Sequence, residues 1–384
     1  MREDETRRFT RRDVCDLLGA GVGFGVVAAL AERVGLAQGG QKPLWLTAKT
    51  SNPSFPRGAV IRTVLKDVPP SALGNGATLM HEHLIGLGNY TSPPDQKSCP
   101  SPCSPTVKGP VIEGVDLLVD ELKATAADGV SCIVNSTINL MTDKNVQDLR
   151  DLATRSGMHI VAGGGFFKAG YPKDAMSGSE EGITEWLVKH ATSQRWGAFG
   201  EIGTSMPTMD ADERKFLNGL AGAQLKTGLP IFTHIPHESC PKCATEQLDL
   251  FMSKGVNPKS VAIGHMSTVK LEDDPNGDSL KGVAKAGAFI GFDTIGHQMA
   301  SSHIPERMKV QRVLQLLEAG YEDNLMFSAD FAQGYNLKAN WGNGYSSVVL
   351  QFVPKLRHAG VKDATLHKIL VDNPRRFLAC MPKV

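Results

Sequence analysis

From about residue 78 the chain keeps returning to one pattern, and that pattern constrains the fold more than anything else in it. A short apolar or β-branched run leads into a polar or glycine-rich loop, then into an amphipathic stretch of helical period. Eight runs read as strands: Thr78–Met80, Cys132–Val134, His159–Ala162, Ala198–Gly200, Pro230–Thr233, Val261–Gly264, Phe289–Phe292 and Leu325–Ser328. Between them Val115–Asp128, Asn145–Ser156, Ile183–Thr192, Ala211–Lys226, Glu246–Gly255, Leu280–Lys285 and Pro305–Ala319 read as helices. Short buried strands alternating with such helices make parallel βαβ units. Eight units predict an α/β protein, a single (β/α)8 TIM barrel over residues 58–384. An open doubly wound sheet shares the alternation. A nucleotide-binding version gains little from Gly163–Gly165, which lacks the G-x-G-x-x-G spacing.

The segment before the barrel reads differently. Thr10-Arg11-Arg12-Asp13-Val14 precedes an uncharged stretch from Leu17 to Ala31 and a small-residue site at Gly35-Leu36-Ala37. A twin arginine before a modest apolar segment resembles a Tat-type export signal. Residues 1–37 are therefore expected to engage the Tat translocase and to deliver a periplasmic or extracellular protein. Residues 38–57 read as an exposed lead-in. No apolar run reaches the 18 residues that a stable membrane span needs. Lys and Arg total 41 against 40 Asp and Glu, a net charge of +1, so the basic excess of a nucleic-acid protein is missing.

Of seven cysteines, Cys99 and Cys103 form one close pair and Cys240 and Cys243 another, each in a proline-containing loop. In an oxidising compartment these four are disulfide candidates. Pairing within each loop and pairing across the two loops both remain open, and a four-cysteine zinc site also fits. The proline-rich stretch from Ser92 to Pro110 follows the first strand and is expected to fold over the barrel mouth. If the two cysteine loops meet there, they form a lid.

Chemistry concentrates at the carboxyl ends of the strands, where barrel enzymes keep their active sites. His81 and His83 end the first strand, and residues two apart in a strand share a face. Both imidazoles are thus expected to face the interior, with Glu82 pointing away. Glu201 ends the fourth strand, His234 the fifth, His265 the sixth and Asp330 the eighth. Imidazole and carboxylate donors in this mixture suit zinc, manganese, iron or cobalt better than calcium. His159 begins a strand, on the wrong face. His190, His358 and His367 lie in helical segments and read as solvated. His237, His297 and His303 lie on carboxyl-side loops, within reach of a substrate.

These residues and their spacing resemble the amidohydrolase superfamily. Met80-His81-Glu82-His83-Leu84, Gly200-Glu201-Ile202-Gly203-Thr204-Ser205, Phe232-Thr233-His234 and Ile263-Gly264-His265 narrow the resemblance to the phosphotriesterase family. Phe292-Asp293-Thr294-Ile295-Gly296, Ser328-Ala329-Asp330 and Asn373-Pro374-x-x-Phe377 continue it, from about Gly58 to Leu378. The resemblance implies two divalent ions, zinc foremost. His81, His83 and Asp330 would bind the more buried ion, and His234 and His265 the more exposed one. Glu201 stands where many members carry a bridging carboxylated lysine; the phosphotriesterase-homology branch carries a glutamate there, and Gly200–Ser205 resembles that branch.

A divalent metal lowers the pKa of bound water from ~15.7 to about 7. The expectation is a binuclear-metal hydrolase whose metal-bound hydroxide cleaves an ester-type bond (lactone, carboxylic ester or phosphoester) in a small-molecule substrate. Asp330 is the expected proton acceptor. A related enzyme cutting an amide-type bond and a non-catalytic, metal-containing ligand-binding barrel are the alternatives. A homodimer is implied by the resemblance alone. Phe167, Lys168, Tyr171, His297 and Lys338 are the substrate-side candidates. Thr294 and Thr268 occupy the positions where organophosphate-degrading members keep a proton-relaying His and Asp.

Overall fold

The computed structural model describes residues 43–48, 53–85, 114–136, 141–167, 171, 173–237, 239–297, 304–340, 342–381 and 383. The export signal expected at 1–37, the stretch Ser92–Pro110, and Lys168, Cys99, Cys103 and His303 lie outside the described residues.

Eight strands form one parallel sheet in chain order: β1 (Ala77–Glu82), β2 (Val130–Asn135), β3 (His159–Gly164), β4 (Ala198–Gly203), β5 (Ile231–His234), β6 (Val261–Gly264), β7 (Phe289–Phe292) and β8 (Leu325–Phe327). The ring closes between β8 and β1 through bonds just past the strand ends. Asp330 N donates to His81 O at 2.9 Å, His83 N to Phe331 O at 3.3 Å, and His81 N to Ser328 Oγ at 2.9 Å. Helices α1 (Val115–Ala127), α2 (Asp143–Ser156), α3 (Glu180–Ser193), α4 (Ala211–Thr227), α5 (Pro241–Ser253), α6 (Asp278–Lys285) and α7 (Glu306–Glu318) surround it. A last helical region, residues 348–358 and 363–378, completes the ring. The chain is a TIM barrel.

Alternation along the strands explains the two layers of core. Ile133, Ile160, Ile231, Ile263 and Ile290 face the helices. Their neighbours Cys132, Val134, Val161, Phe232, Ala262 and Phe289 fill the interior, a period of two. Ile61 and Val68, from an antiparallel ribbon, join this inner cluster with Leu73, Phe377 and Leu378. The barrel is therefore packed below its carboxyl end rather than open through it. Strand β1 breaks the rule. Its register against β2 shifts between Leu79 and Glu82, and in that stretch Met80 joins the interior cluster while His81 also faces the axis.

Helix ends follow local chemistry. Thr142 and Asn145 form a capping box at α2, and Asp210 and Glu213 form one at α4. Glu213 Oε1 also accepts from Ser205 N at 2.8 Å, tying the loop after β4 to the start of α4.

The lead-in differs from its expected exposure. Leu44–Thr47 is a short helix whose Trp45 is 1% exposed, and the Trp45 carbonyl accepts from His367 Nδ1 at 2.7 Å. His367 is accordingly buried instead of solvated. The short apolar run Leu44-Trp45-Leu46 in a lead-in that is otherwise largely polar carries no period that a sequence reading can use. No helix among the described residues is long and apolar enough to cross a membrane.

Candidate metal centre

Five strand ends bring His81, His83, Glu201, His234, His265 and Asp330 together at the carboxyl end of the barrel. Glu201 lies between two imidazole pairs. Its Oε2 is 3.2 Å from His81 Nε2 and 3.7 Å from His83 Nε2. Its Oε1 is 3.1 Å from His265 Nε2 and contacts His234 Nδ1. Asp330 spans the same gap. Its Oδ1 lies 3.0 Å from His83 Nε2 and 3.4 Å from His81 Nε2, and its Oδ2 lies 3.8 Å from His265 Nε2.

The chain invests local strain in this arrangement. His265 and Asp330 have φ of 58° and 56°, left-handed values that cost a non-glycine residue on the order of 1–3 kcal/mol. Both are held by specific bonds. His265 N donates to both oxygens of Asp293, at 2.9 and 3.0 Å. The Asp330 turn is pinned by Glu82, whose Oε1 accepts from Ala329 N at 2.8 Å and whose Oε2 accepts from Phe331 N at 3.0 Å. Glycine is required beside Glu201. Gly200 has φ of 143°, and a Cβ there would stand 2.3 Å from Phe232 O.

Asp293, at the end of β7, is the group that orders the imidazoles. Its Oδ2 lies 3.0 Å from His81 Nδ1 and its Oδ1 2.9 Å from His265 Nδ1. With Nδ1 of each ring directed at this carboxylate, both Nε2 atoms face the cluster. Behind it, Lys309 of α7 is buried and donates its Nζ to Thr294 O. Burial lowers the Lys309 pKa to about 8, against the pull of Glu306 and Asp293. Gln247 Nε2 donates to His234 O at 3.0 Å, and the Tyr345 hydroxyl donates to His83 O at 2.6 Å.

The electrostatics favour a cation. Burial alone would neutralise Glu201, Asp330 and Asp293, yet the imidazoles around them hold all three well below the ordinary carboxylate range. Burial likewise opposes charge on His81 and His265, but the surrounding carboxylates raise both, His265 to about 10. His234 goes the other way, lowered to about 4 by burial and by His265. Three carboxylates in one buried cluster draw positive charge to it, as protons or as metal. His81 Nε2 is buried and aims between the carboxylates of Glu201 and Asp330, 3.2 and 3.4 Å away. That convergence of ring nitrogens on carboxylate oxygens and the mixed imidazole–carboxylate set fit divalent metal.

Other expected site residues divide. The Phe167 ring stands edge-on to His234 at 4.5 Å and walls the site. His297 sits at the rim, its ring 5.1 Å from Phe331. Two residues lie elsewhere. Tyr171 stacks on Phe216 of α4 at 4.6 Å, inside the helical layer. Lys338 is paired with Asp128 at 2.7 Å and also bonds Ser346 Oγ. Each follows a strand on the correct side, but its loop turns outward to a partner on a helix or helix end. Cys240 and Cys243 form a disulfide with one another, so this loop pairs internally. Thr268 Oγ1 donates to His265 O, and Thr294 Oγ1 meets Ser267 Oγ, so neither provides a relay. Asp293 and Glu82 are the functional residues whose roles the sequence left unread. The available signal was another carboxylate at a strand end, in Asp293-Thr294-Ile295-Gly296.

The family model of the phosphotriesterase family matches residues 59–378. The chain belongs to this family. It is thereby a member of a hydrolase family that depends on a binuclear metal centre. It is similar to the N-acetyltaurine hydrolase of Mus musculus, 28% identical over 83% of this chain and 97% of the relative. Among solved structures it is similar to a resiniferatoxin-binding protein from Rhodobacter sphaeroides, with a TM-score of 0.72 and 31% identity over 84% of this chain and 95% of that one. The phosphotriesterase homology protein from Escherichia coli, complexed with phosphate in its active site, gives a TM-score of 0.67 and 27% identity over 79% of this chain and 99% of that one.

Proposed function

We propose that this chain hydrolyses an acyl bond (ester, lactone or amide) of a small molecule at a two-metal centre bridged by Glu201. The observation that carries the reading is the direction of the Glu201 oxygens, one toward His81 and His83 and the other toward His234 and His265. A carboxylate so placed has an oxygen for each of two ions. Bound divalent metal supplies Lewis acidity and a water of lowered pKa.

The chain's own residues do the rest. Asp293 keeps His81 and His265 turned inward. Asp330 faces both halves, so its ionised carboxylate accepts the proton of the attacking water. Thr268 and Thr294 are engaged with His265 O and Ser267 Oγ and carry no proton outward from it. Return of the proton to the leaving group suits an alkoxide or amine that must be protonated to depart. That chemistry supports an acyl substrate over an activated phosphotriester. The amide arm is favoured by the similarity to N-acetyltaurine hydrolase.

The test is metal content together with turnover on a panel of carboxylic esters, lactones, N-acetyl amides and phosphoesters. Two ions per chain are expected in the wild type and one or none in Glu201→Ala, with acyl hydrolysis lost. One ion in the wild type, unchanged in the variant, would overturn the bridging role. Turnover of phosphoesters alone would overturn the acyl reading.

A further inference from the structure

We infer that His237 is a third imidazole ligand of the outer metal position, beside His234 and His265, an inference that rests on the two-ion reading above. Three residues past His234 the chain has turned back over the mouth of the barrel. The His237 ring lies 4.2 Å from that of His265 and 5.1 Å from that of His234. Its Nε2 is 3.7 Å from Asp330 Oδ2, the same oxygen that His265 Nε2 faces at 3.8 Å. Two imidazoles thus converge on one carboxylate oxygen.

Ring nitrogens of all three histidines lie within 4.8 Å of one another. Donors about 2.0–2.1 Å from a zinc ion stand at most about 4.2 Å apart, so the set closes onto one ion with small ring rotations. The His237 side chain is 36% exposed, on the open side of the site, whereas that of His81 is fully buried.

The loop that carries it is braced. The Cys240–Cys243 disulfide closes its far end, and Ser239 Oγ accepts from Lys270 N at 3.0 Å, joining it to the segment after β6.

The experiment is metal binding by His237→Ala, read as zinc retained after dialysis against a chelator and as the visible spectrum of the cobalt-loaded protein. The wild type should keep two ions. The variant should keep one, bind the second about 100-fold more weakly, and show an altered cobalt spectrum that added imidazole restores. The exposed His358→Ala serves as a neutral control. Two ions held with unchanged affinity and an unchanged spectrum would overturn the inference and make His237 a substrate contact, leaving the two-ion reading intact. A wild type that holds only one ion would overturn both. Should His237→Ala fail to fold, His237→Asn, which is closer in size, takes the same measurements.

Discussion

The inner imidazoles of the site and the outer ones are held by different means. His81 and His265 are fully buried and are gripped through their rings, both by the one carboxylate of Asp293. His83 and His234 are held behind the site through their backbone carbonyls, by the Tyr345 hydroxyl and the Gln247 amide, while their rings meet Asp330 and Glu201, and His237 rides on a disulfide-braced loop. The inner row therefore arrives with ring orientation already set. The rings of His83 and His234 in the outer row are oriented by Asp330 and Glu201, carboxylates of the site itself, rather than by a group behind it. Each expected ion draws one imidazole from the inner row and the rest of its imidazoles from the outer row, so Asp293 links the two halves of the site although it lies behind both.

The largest effect that would break this contrast is Asp293→Ala. Both inner rings lose their only carboxylate partner behind the site, and His265 N loses the acceptor that holds its left-handed backbone. Partners of this kind are worth about 10- to 100-fold each in metal affinity or activity. The expected outcome is that both ions weaken together and turnover falls by about 100-fold or more, read by metal titration beside steady-state kinetics. If only one ion weakened, Asp293 would serve one half of the site, and the coupling between rows would be wrong.

The same contrast explains what was legible in the sequence. Strands with a strict period of two announced their inner and outer faces, and a ligand at each strand end announced the site. Asp293 ends a strand as Asp330 does, and nothing in linear order tells a carboxylate that meets metal from one that meets two imidazoles. Its role needs the end of β1 brought within reach of β7, past β8, by barrel closure, with β6 on the other side. Tyr171 and Lys338 failed for the converse reason. Their loops lie on the correct end of the barrel, but a buried ring against Phe216 and an ion pair with Asp128 decide where each side chain goes. The break in β1 register, which brings Met80 and His81 to the same side, is likewise invisible to a rule of alternation.

A smaller effect is expected from Glu82→Gln. Burial pushes the Glu82 carboxyl up to about 8, while the N–H groups of Phe331 and Ala329 and the Ser328 hydroxyl pull it back. An amide in its place turns one acceptor into a donor facing a backbone N–H, and an unsatisfied buried group costs about 1–3 kcal/mol. That cost falls on the Asp330 turn and not on the inner rings. Reduced kcat with two ions retained is the expected result, about 10-fold in size, since 1.4 kcal/mol is tenfold in rate. Loss of metal equal to that in Asp293→Ala would show that the turn and the rings are one unit.

Tyr345→Phe is the mildest probe and the one that sharpens the outer row. It removes a single hydroxyl that donates to the His83 carbonyl and leaves the ring packed where it is. A neutral hydrogen bond of this kind contributes about 0.5–1.5 kcal/mol, so a fall in melting temperature of a few degrees is its upper range. Because the bond acts on the His83 backbone and not on its imidazole, metal content should stay at the wild-type value. Turnover should drop no more than about 10-fold, as the ring of His83 finds Asp330 from a slightly looser tether. Metal loss in Tyr345→Phe would mean that the outer row is as tightly preset as the inner one, and the division between rings set from behind and rings set by the site's own carboxylates would have to be given up.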